Sequence, residues 1–175
     1  MRQLIFVFVL LTSLCACSPK FDWRDVRDEE NHFQILMPGK AANAQREIDL
    51  DGLKVNMKMT GTEVQNINFL IAYVHLPVDA NDPENSKKQQ LAALNAMKVG
   101  MLRNIQGQWQ KDPQINTIRN TDVALGLAPN GKKLKMLGRF EQRADYLVQV
   151  VMLSEESSFN LDAAEMFFDS YKWHP

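Results

Sequence analysis

Alternation of apolar and polar residues predicts a β-hairpin in the first half of the chain. Residues 44–50 and 53–62 flank Asp51-Gly52, a dipeptide that favours a type I′ turn because both of its positions tolerate positive φ. Four residues of the second arm share one side of the strand: Leu53, Val55, Met57 and Met59. Polar residues occupy the other side, so we expect a sheet with one solvent-exposed face.

Further apolar runs predict additional strands. Residues 33–37 form a short strand that ends at Pro38-Gly39, a strong turn signal. Residues 67–76 are apolar on both sides, which is typical of a central strand covered on both faces. Residues 115–123 are predicted as another strand. A second hairpin comprises residues 134–142 and 146–153.

Helical periodicity indicates two helices. Asp82-Pro83 is typical of an N-cap followed by proline at the first helical position, and Gly107 fits the C-terminal stop. The apolar positions at helical spacing are Leu91, Leu94, Met101, Leu102 and Ile105. Asn160 is a plausible cap for a final helix. The buried stripe of that helix is expected to be Ala164, Phe167, Phe168 and Tyr171. This order of elements predicts an α+β fold, with a mostly antiparallel sheet sandwiched by two helices.

The N-terminus has the layout of a secretory signal. Arg2 supplies a positive charge, and an uncharged, mainly apolar run extends from Leu4 through Leu14. A membrane-spanning helix needs about 20 apolar residues, and polar Ser18 follows too soon for one. We therefore expect residues 1–16 to be a cleaved signal peptide.

The residues around Cys17 predict lipid anchoring. Residues 14–17 (Leu-Cys-Ala-Cys) resemble the lipobox of bacterial lipoproteins, although alanine or serine is usual where Cys15 stands. The resemblance implies that Cys17 becomes the mature N-terminus and carries acyl chains such as palmitate, which anchor the chain in a membrane. The alternative is ordinary secretion with cleavage nearby, which Leu14 fits poorly because small residues are needed there.

The rest of the chain is predicted to face the periplasm of the cell envelope. Ser18 stands where an inner-membrane retention signal would have aspartate, so the outer membrane is favoured over the inner one. Residues 17–31 are expected to be a tether and first strand, and residues 32–175 a single domain. Both cysteines lie in residues 1–17, so no disulfide or cysteine-based metal site is expected after cleavage.

Composition and charge exclude some classes of function. Removal of residues 1–16 takes Arg2 and no acidic residue, which leaves 19 Lys+Arg against 21 Asp+Glu, a net charge of −2. A near-neutral chain gives no electrostatic reason to expect nucleic-acid binding. With 45% hydrophobic and 23% charged residues, the chain has the composition of an ordinary globular domain.

Segments spread over most of the mature chain resemble PsbP/DcrB-like domains. Residues 33–40 (FQILMPGK) are similar to their opening F-x-(V/I)-x-x-P-G motif, and residues 138–140 with 146–150 to their penultimate hairpin. Residues 164–172 are similar to their C-terminal F-x-x-S-F-K helix, with tyrosine replacing the second phenylalanine. Residues 21–26 resemble the segment after the lipid site in uncharacterised proteobacterial members. The resemblance implies an α/β/α sandwich and a non-enzymatic, accessory or protein-binding role, with no functional residue to transfer.

One segment partly matches a nucleotide-binding motif. Residues 126–132 fit the first seven positions of a P-loop, but Lys133 replaces the Ser or Thr that holds Mg²⁺. The residues that follow are predicted as strand, so the helix N-terminus that would bind phosphate is missing. Asn130-Gly131 is better explained as a hairpin turn, and no cofactor is predicted.

Catalytic and metal-ligating patterns are also weak. His32, His75 and His174 have no partner at a metal-ligand spacing, and a structural role is favoured for His75 at the end of the central strand. Met57 and Met59 could offer sulfur to Cu(I), but they share the inward side of one strand, where methionine commonly fills core gaps. No nucleophile, base and orienting group are recognisable together, so an enzyme is not predicted.

Basic residues cluster on the second hairpin and on the exposed side of the first. They are Lys132, Lys133, Lys135, Arg139 and Arg143 on one, and Lys54 and Lys58 on the other. These charges could contact anionic lipid headgroups or an acidic partner, but a solvated face is favoured. Trp23 and Arg24 lie near the anchor, where Trp could rest at the membrane interface; packing in the first strand is preferred.

Three classes of function remain open. The leading hypothesis is a lipid-anchored, non-catalytic interaction or accessory module with an envelope protein partner. The alternative is a periplasmic binder or sensor of an apolar small molecule, which requires a cavity lined by residues such as Phe69, Leu94 and Met101. An enzyme is the third, and loss of activity on mutation of His75 without loss of folding would support it.

Overall fold

Ten antiparallel strands form two sheets in the computed structural model, which describes residues 20–174. The predicted signal peptide (residues 1–16) and the predicted acylation site Cys17, with Ser18, lie outside the described residues. The strands are β1 (Arg24–Asp28), β2 (Phe33–Met37), β3 (Ala42–Leu50), β4 (Leu53–Val64), β5 (Ile67–His75), β6 (Gln108–Gln110), β7 (Asp122–Leu127), β8 (Lys133–Arg143), β9 (Tyr146–Glu155) and β10 (Lys172–Trp173). The helices are α1 (Pro83–Asn104) and α2 (Leu161–Ser170).

The larger sheet has seven strands in the order β3-β4-β5-β9-β8-β7-β6, and the smaller has three in the order β1-β2-β10. Both faces of the larger sheet are covered over β5, β8 and β9, whereas most of β3 is exposed. The α1-side core includes Met57, Val74, Ala93 and Met97. The α2-side core is made by α2, the smaller sheet and residues such as Phe69 and Val150. The predicted α+β class, with mostly antiparallel sheets and two helices, is confirmed.

Both predicted hairpins are confirmed. β3 and β4 pair across Asp51 (φ 59°) and Gly52 (φ 85°), the two positive φ values that a type I′ turn needs. β8 and β9 pair from Leu134–Glu155 to Arg143–Tyr146. β5 is the predicted central strand, since it pairs with β4 and β9 and both of its sides are buried over Ile71–Val74.

The predicted helix starts are also confirmed. The Asp82 carboxylate accepts a hydrogen bond from the Asn85 backbone N–H at 3.1 Å, with Pro83 at the first helical position. The Asn160 side chain accepts one from the Ala163 N–H at 2.9 Å. These caps satisfy N–H groups that the helices leave without an intrahelical partner.

The strand predicted for residues 115–123 is wrong over most of its length. Pro113–Ile115 form a 3-10 turn, capped by the Asp112 carboxylate, and only the residues from Asp122 onwards are extended. Ile115 and Ile118 are buried, but they are three residues apart in consecutive turns, as the Ile118 N–H to Ile115 carbonyl hydrogen bond shows. Their spacing therefore reflects turns and not a strand.

Helix α1 ends for a different reason than predicted. Positive φ occurs at Gln106 (47°) and not at Gly107. Gly107 is instead required for close packing, because a Cβ there would lie 2.8 Å from the Leu125 carbonyl oxygen. The short strands β6 and β10 were not predicted. No helix in residues 20–174 is both long and apolar enough to cross a lipid bilayer.

Candidate functional site

Four partly exposed rings gather where the two sheets meet. This aromatic–histidine cluster consists of His32, His75, Tyr146 and Trp173. Ring centroids lie 5.0 Å apart for His75 and Tyr146, 5.4 Å for Tyr146 and Trp173, and 5.7 Å for His32 and Trp173. The cluster closes the seam between the sheets and keeps part of each ring in contact with solvent.

Strand register holds the four rings together. His75 and Tyr146 are directly opposite each other at the ends of β5 and β9. Trp173 is opposite Phe33 in the smaller sheet, and the His174 N–H donates to the His32 carbonyl at 2.7 Å. Side chains opposite each other in an antiparallel pair are close enough to interact directly.

An acidic turn borders this cluster. It comprises Asp28, Glu29 and Glu30, between β1 and β2. The Asp28 carboxylate accepts hydrogen bonds from the Asn31 N–H (3.0 Å), the Asn31 amide (2.8 Å) and the Tyr73 hydroxyl (3.2 Å). These bonds fix the turn, while the side chains of Glu29 and Glu30 remain exposed. Such pre-organisation lowers the entropy lost when a ligand binds.

Two shallow grooves lie on either side of the acidic turn. One, of about 370 Å³, is polar and is lined by Asp28, Glu30, Asn43, Gln45, Lys58 and Tyr73. The other, of about 470 Å³, is lined by Arg27, Asp28, Glu29, His32, Gln34 and His174. Asp28 contributes to both grooves. The turn therefore forms a ridge with hydrogen-bonding side chains on each flank.

Burial and nearby negative charge raise the pKa values of the two tyrosines at the site. Burial, with the neighbouring Asp28 carboxylate, raises the pKa of Tyr73 far above its ordinary value. Burial and then the charges of Asp145, Glu30 and Asp28 raise the pKa of Tyr146. Both phenols therefore stay neutral at physiological pH, and the site carries the charge of its carboxylates.

The site combines carboxylates, aromatic rings and one imidazole–carboxylate pair. Because the raised pKa of Tyr73 keeps its phenol protonated, this side chain does not supply a general base at neutral pH. His75 Nε2 lies 2.6 Å from an Asp145 carboxylate oxygen, but no hydroxyl or thiol side chain hydrogen-bonds this imidazole in residues 20–174. Within the same residues, no group of three or more His, Cys, Asp or Glu side chains is placed to hold a metal ion.

The predicted basic surface on the second hairpin is wrong, because two of its members are buried. Lys135 is 7% exposed; its ammonium lies 2.7 Å from the Asp112 carboxylate and 4.1 Å from the centre of the Phe159 ring. Arg139 is 9% exposed and donates to the carbonyls of Arg119 and Phe168. Through these contacts the two cations connect strand β8 to helix α2 and to the segment after β6. The outer members are distributed differently: Lys132 pairs with Glu155, Arg143 pairs with Glu141, and Lys133 is exposed.

The residues predicted to line a ligand cavity do not lie together. Phe69 belongs to the α2-side core, whereas Leu94 and Met101 pack on the α1 side of the same sheet. The three side chains cannot line one cavity. Met57 is buried on the α1 side, next to the Gln149 amide, and Met59 packs against the same core.

Residues 126–132 do not form a phosphate-binding loop. The Gly131 N–H donates to the Ala128 carbonyl at 2.8 Å, and Gly131 has a φ of 81°. This is the predicted hairpin turn, and it leads into strand β8 where a P-loop would continue as a helix.

The aromatic–histidine cluster was missed because its members are far apart in the sequence. The available signal was positional: each of the four lies at or next to a strand end. Only the strand order shows that these ends meet.

No family model matches the chain, and no curated protein is significantly similar to it in sequence.

Proposed function

We propose that this chain is a lipid-anchored protein of the bacterial cell envelope, acting as a non-catalytic accessory module that binds a basic segment of a partner protein. Anchoring is supported by residues 14–17 and by the secretory layout before them. The outer membrane is the favoured location, with the folded part facing the periplasm. Membership of a PsbP/DcrB-like group belongs to the same proposal, supported by the motif order and by helices on opposite faces of an antiparallel sheet.

The observation that carries the binding proposal is the pairing of the aromatic–histidine cluster with the acidic turn. Partly exposed Trp and Tyr side chains are the residue types that dominate protein interfaces. Carboxylates beside aromatic rings suit Lys and Arg, which form ion pairs with the former and cation–π contacts with the latter. A basic segment with one or two apolar side chains would contact both the acidic turn and the aromatic–histidine cluster.

Site-specific photo-crosslinking in intact envelopes tests this proposal. We expect a discrete protein adduct from a photo-reactive residue at position 30 and none from position 84, which is also exposed but lies on helix α1. Asp28 is left unchanged because its carboxylate holds the turn. The single charge reversal Glu29→Lys should weaken the adduct. Trp173→Ala should also weaken it, with Trp109→Ala as the matched tryptophan control.

The outcomes separate the parts of the proposal. An adduct that forms equally from both positions, or that Glu29→Lys and Trp173→Ala leave unchanged, would contradict the assigned binding surface. Palmitate incorporation that persists in Cys17→Ser would contradict the assigned acylation site. Substrate turnover abolished by His75→Ala in a folded protein would show an enzyme instead.

A further inference from the structure

The folded part of the chain begins immediately after the proposed acylation site. Phe21 and Trp23 pack on Phe69, each with its ring centroid 6.3 Å from that of Phe69. The Asp22 N–H donates to the Pro38 carbonyl at 3.1 Å. The preference for packing of Trp23 over a membrane-interface position agrees with these contacts. Residue 21 is thus fixed to the core.

The covalent reach from Cys17 to Phe21 is short. Four residues span at most about 14 Å when fully extended, at 3.3–3.6 Å per residue. An acylated cysteine must lie at the membrane surface, because its chains are buried in the hydrocarbon. Phe21 therefore cannot move farther than this from the lipid headgroups.

Phe21 marks one end of the strands. The adjoining turn contains Gly39, where a Cβ would lie 3.0 Å from a Val64 methyl group. Val64 and Ile67 are opposite each other at the β4–β5 turn. We call this region, with Lys40, the Phe21 end. The acidic turn and the aromatic–histidine cluster lie at the other end of β5, about 26 Å away at roughly 3.3 Å per residue.

The two ends differ in charge. Charges of both signs balance at the Phe21 end, where Lys20, Lys40, Lys132 and Lys133 are accompanied by Asp22, Glu63, Glu155 and Glu156. Acidic side chains outnumber basic ones at the opposite end, where Glu29, Glu30, Asp49, Asp51 and Asp145 are accompanied by Arg27, Lys54 and Arg143. An anionic lipid surface attracts lysines and repels carboxylates over about a Debye length. The end that the tether brings close is also the end that such a surface repels less.

From the tether length and this charge difference we infer that the Phe21 end rests directly on an anionic phospholipid surface, and that the acidic turn points away from it. The inference rests on the proposed acylation of Cys17. It restricts the partner: the basic segment must reach the acidic turn from the aqueous side, well above the headgroups, and not from within the membrane.

Single-cysteine labelling tests this orientation. After signal cleavage and acylation the chain has no other free thiol, so Lys40→Cys and Lys54→Cys each accept one fluorophore. Both lysines are exposed, one at each end. The acylated variants are placed in phosphatidylethanolamine–phosphatidylglycerol vesicles with nitroxide-labelled headgroups. We expect severalfold stronger quenching at position 40 than at position 54.

A variant with a longer tether provides a second test of the orientation. A Gly/Ser linker of about 20 residues between Lys20 and Phe21 has a root-mean-square reach of roughly 25 Å, so it should remove most of the difference between the two labels. Equal quenching at both positions with the native tether would overturn the inference, as would a linker without effect. Mass spectrometry of the same samples reports acylation separately, so failure of the lipid-anchor proposal is distinguishable from failure of the orientation.

Discussion

The two helices differ in how firmly they are built into the structure, and the shorter one is held better. Helix α2 has 10 residues and buries Ala163, Ala164, Phe167 and Phe168. Helix α1 has 22 residues but buries only Ser86, Gln90, Ala93 and Met97. Two of those four are polar. Burial of large apolar side chains, and not helix length, sets how strongly a helix is attached.

Hydrogen bonds and exposed side chains also indicate that α2 is attached more firmly than α1. The Ser170 hydroxyl at the end of α2 accepts from the Leu36 N–H, and the Arg139 guanidinium donates to the Phe168 carbonyl. On α1, the Gln142 amide donates to the Gln90 side chain, so a polar pair with one exposed member forms part of the interface. Hydrophobic side chains that could have served the interface point outwards instead, with Leu91 49% and Val99 45% exposed.

The largest effect is expected from Phe167→Ala. Phe167 is fully buried and contacts Phe69 and Phe168, with centroids 5.2 and 5.3 Å away. Loss of the ring leaves a cavity, so the free energy of unfolding should fall by about 3–5 kcal/mol. Urea denaturation measures it. The neighbouring Met166, 48% exposed, is the control, and Met166→Ala should change little.

A smaller loss is expected from Met97→Ala on α1. Met97 is 3% exposed, but its neighbours one turn away on α1 are the small Ala93 and the partly buried Leu94 and Met101. The cost should be near the low end of the range for such truncations, about 2 kcal/mol, measured by the same denaturation. A loss as large as that of Phe167→Ala would show that the two helices are equally integrated, against the comparison above.

Alkaline pH should weaken the α2 side selectively, because Tyr73 and Tyr171 both belong to its core. Burial, followed by the charge of Glu141, raises the pKa of Tyr171 to about 12. Between pH 10 and 12 the unfolded chain releases a proton that the native state retains, so stability falls as pH rises, by about 1.4 kcal/mol per pH unit for this group. Below pH 10 the contribution is intact.

Tyr171→Phe isolates that contribution. Urea denaturation at pH 9 and pH 11 should show a smaller loss of stability for Tyr171→Phe than for the wild type, since phenylalanine has no proton to release. Identical losses for the two proteins would mean that other groups cause the alkaline lability.

The smallest effect is expected from Leu91→Gln. Because Leu91 is half exposed on the outer side of α1, its replacement should change the free energy of unfolding by less than about 0.5 kcal/mol. Thermal unfolding provides the measurement. A loss of more than 1 kcal/mol would require a contact at Leu91 that the solvent-exposed position does not explain.

Several elements could be predicted because their signals are local. Asp51-Gly52, the Asp82 and Asn160 caps and the apolar run of β5 each specify their structure within a few residues. The strand predicted near Ile115 failed because buried isoleucines in consecutive turns mimic a strand when only their hydrophobicity is considered. Helix α1 was located correctly, yet Leu91 was assigned to its buried side and is exposed.

The candidate site was harder to predict, because its parts come from four separate strand ends. His32, His75, Tyr146 and Trp173 are adjacent only through the order of strands in two sheets. No pairwise spacing in the sequence encodes that order. The sequence gives the type of each side chain, aromatic or imidazole, but it does not show that the four lie together.

The amino-acid sequence by itself determined the hairpin turns and the helix starts, since φ preferences and capping act over a few residues. Tertiary structure decided which side of β8 was covered. Lys135 and Arg139 occupy its polar side, which local pattern assigns to solvent. Helix α2 and the segment after β6 cover that side, and the carboxylate of Asp112 and the carbonyls of Arg119 and Phe168 satisfy the two cations. Burial of a charge depends on partners that are distant in sequence, so only the folded chain could settle it.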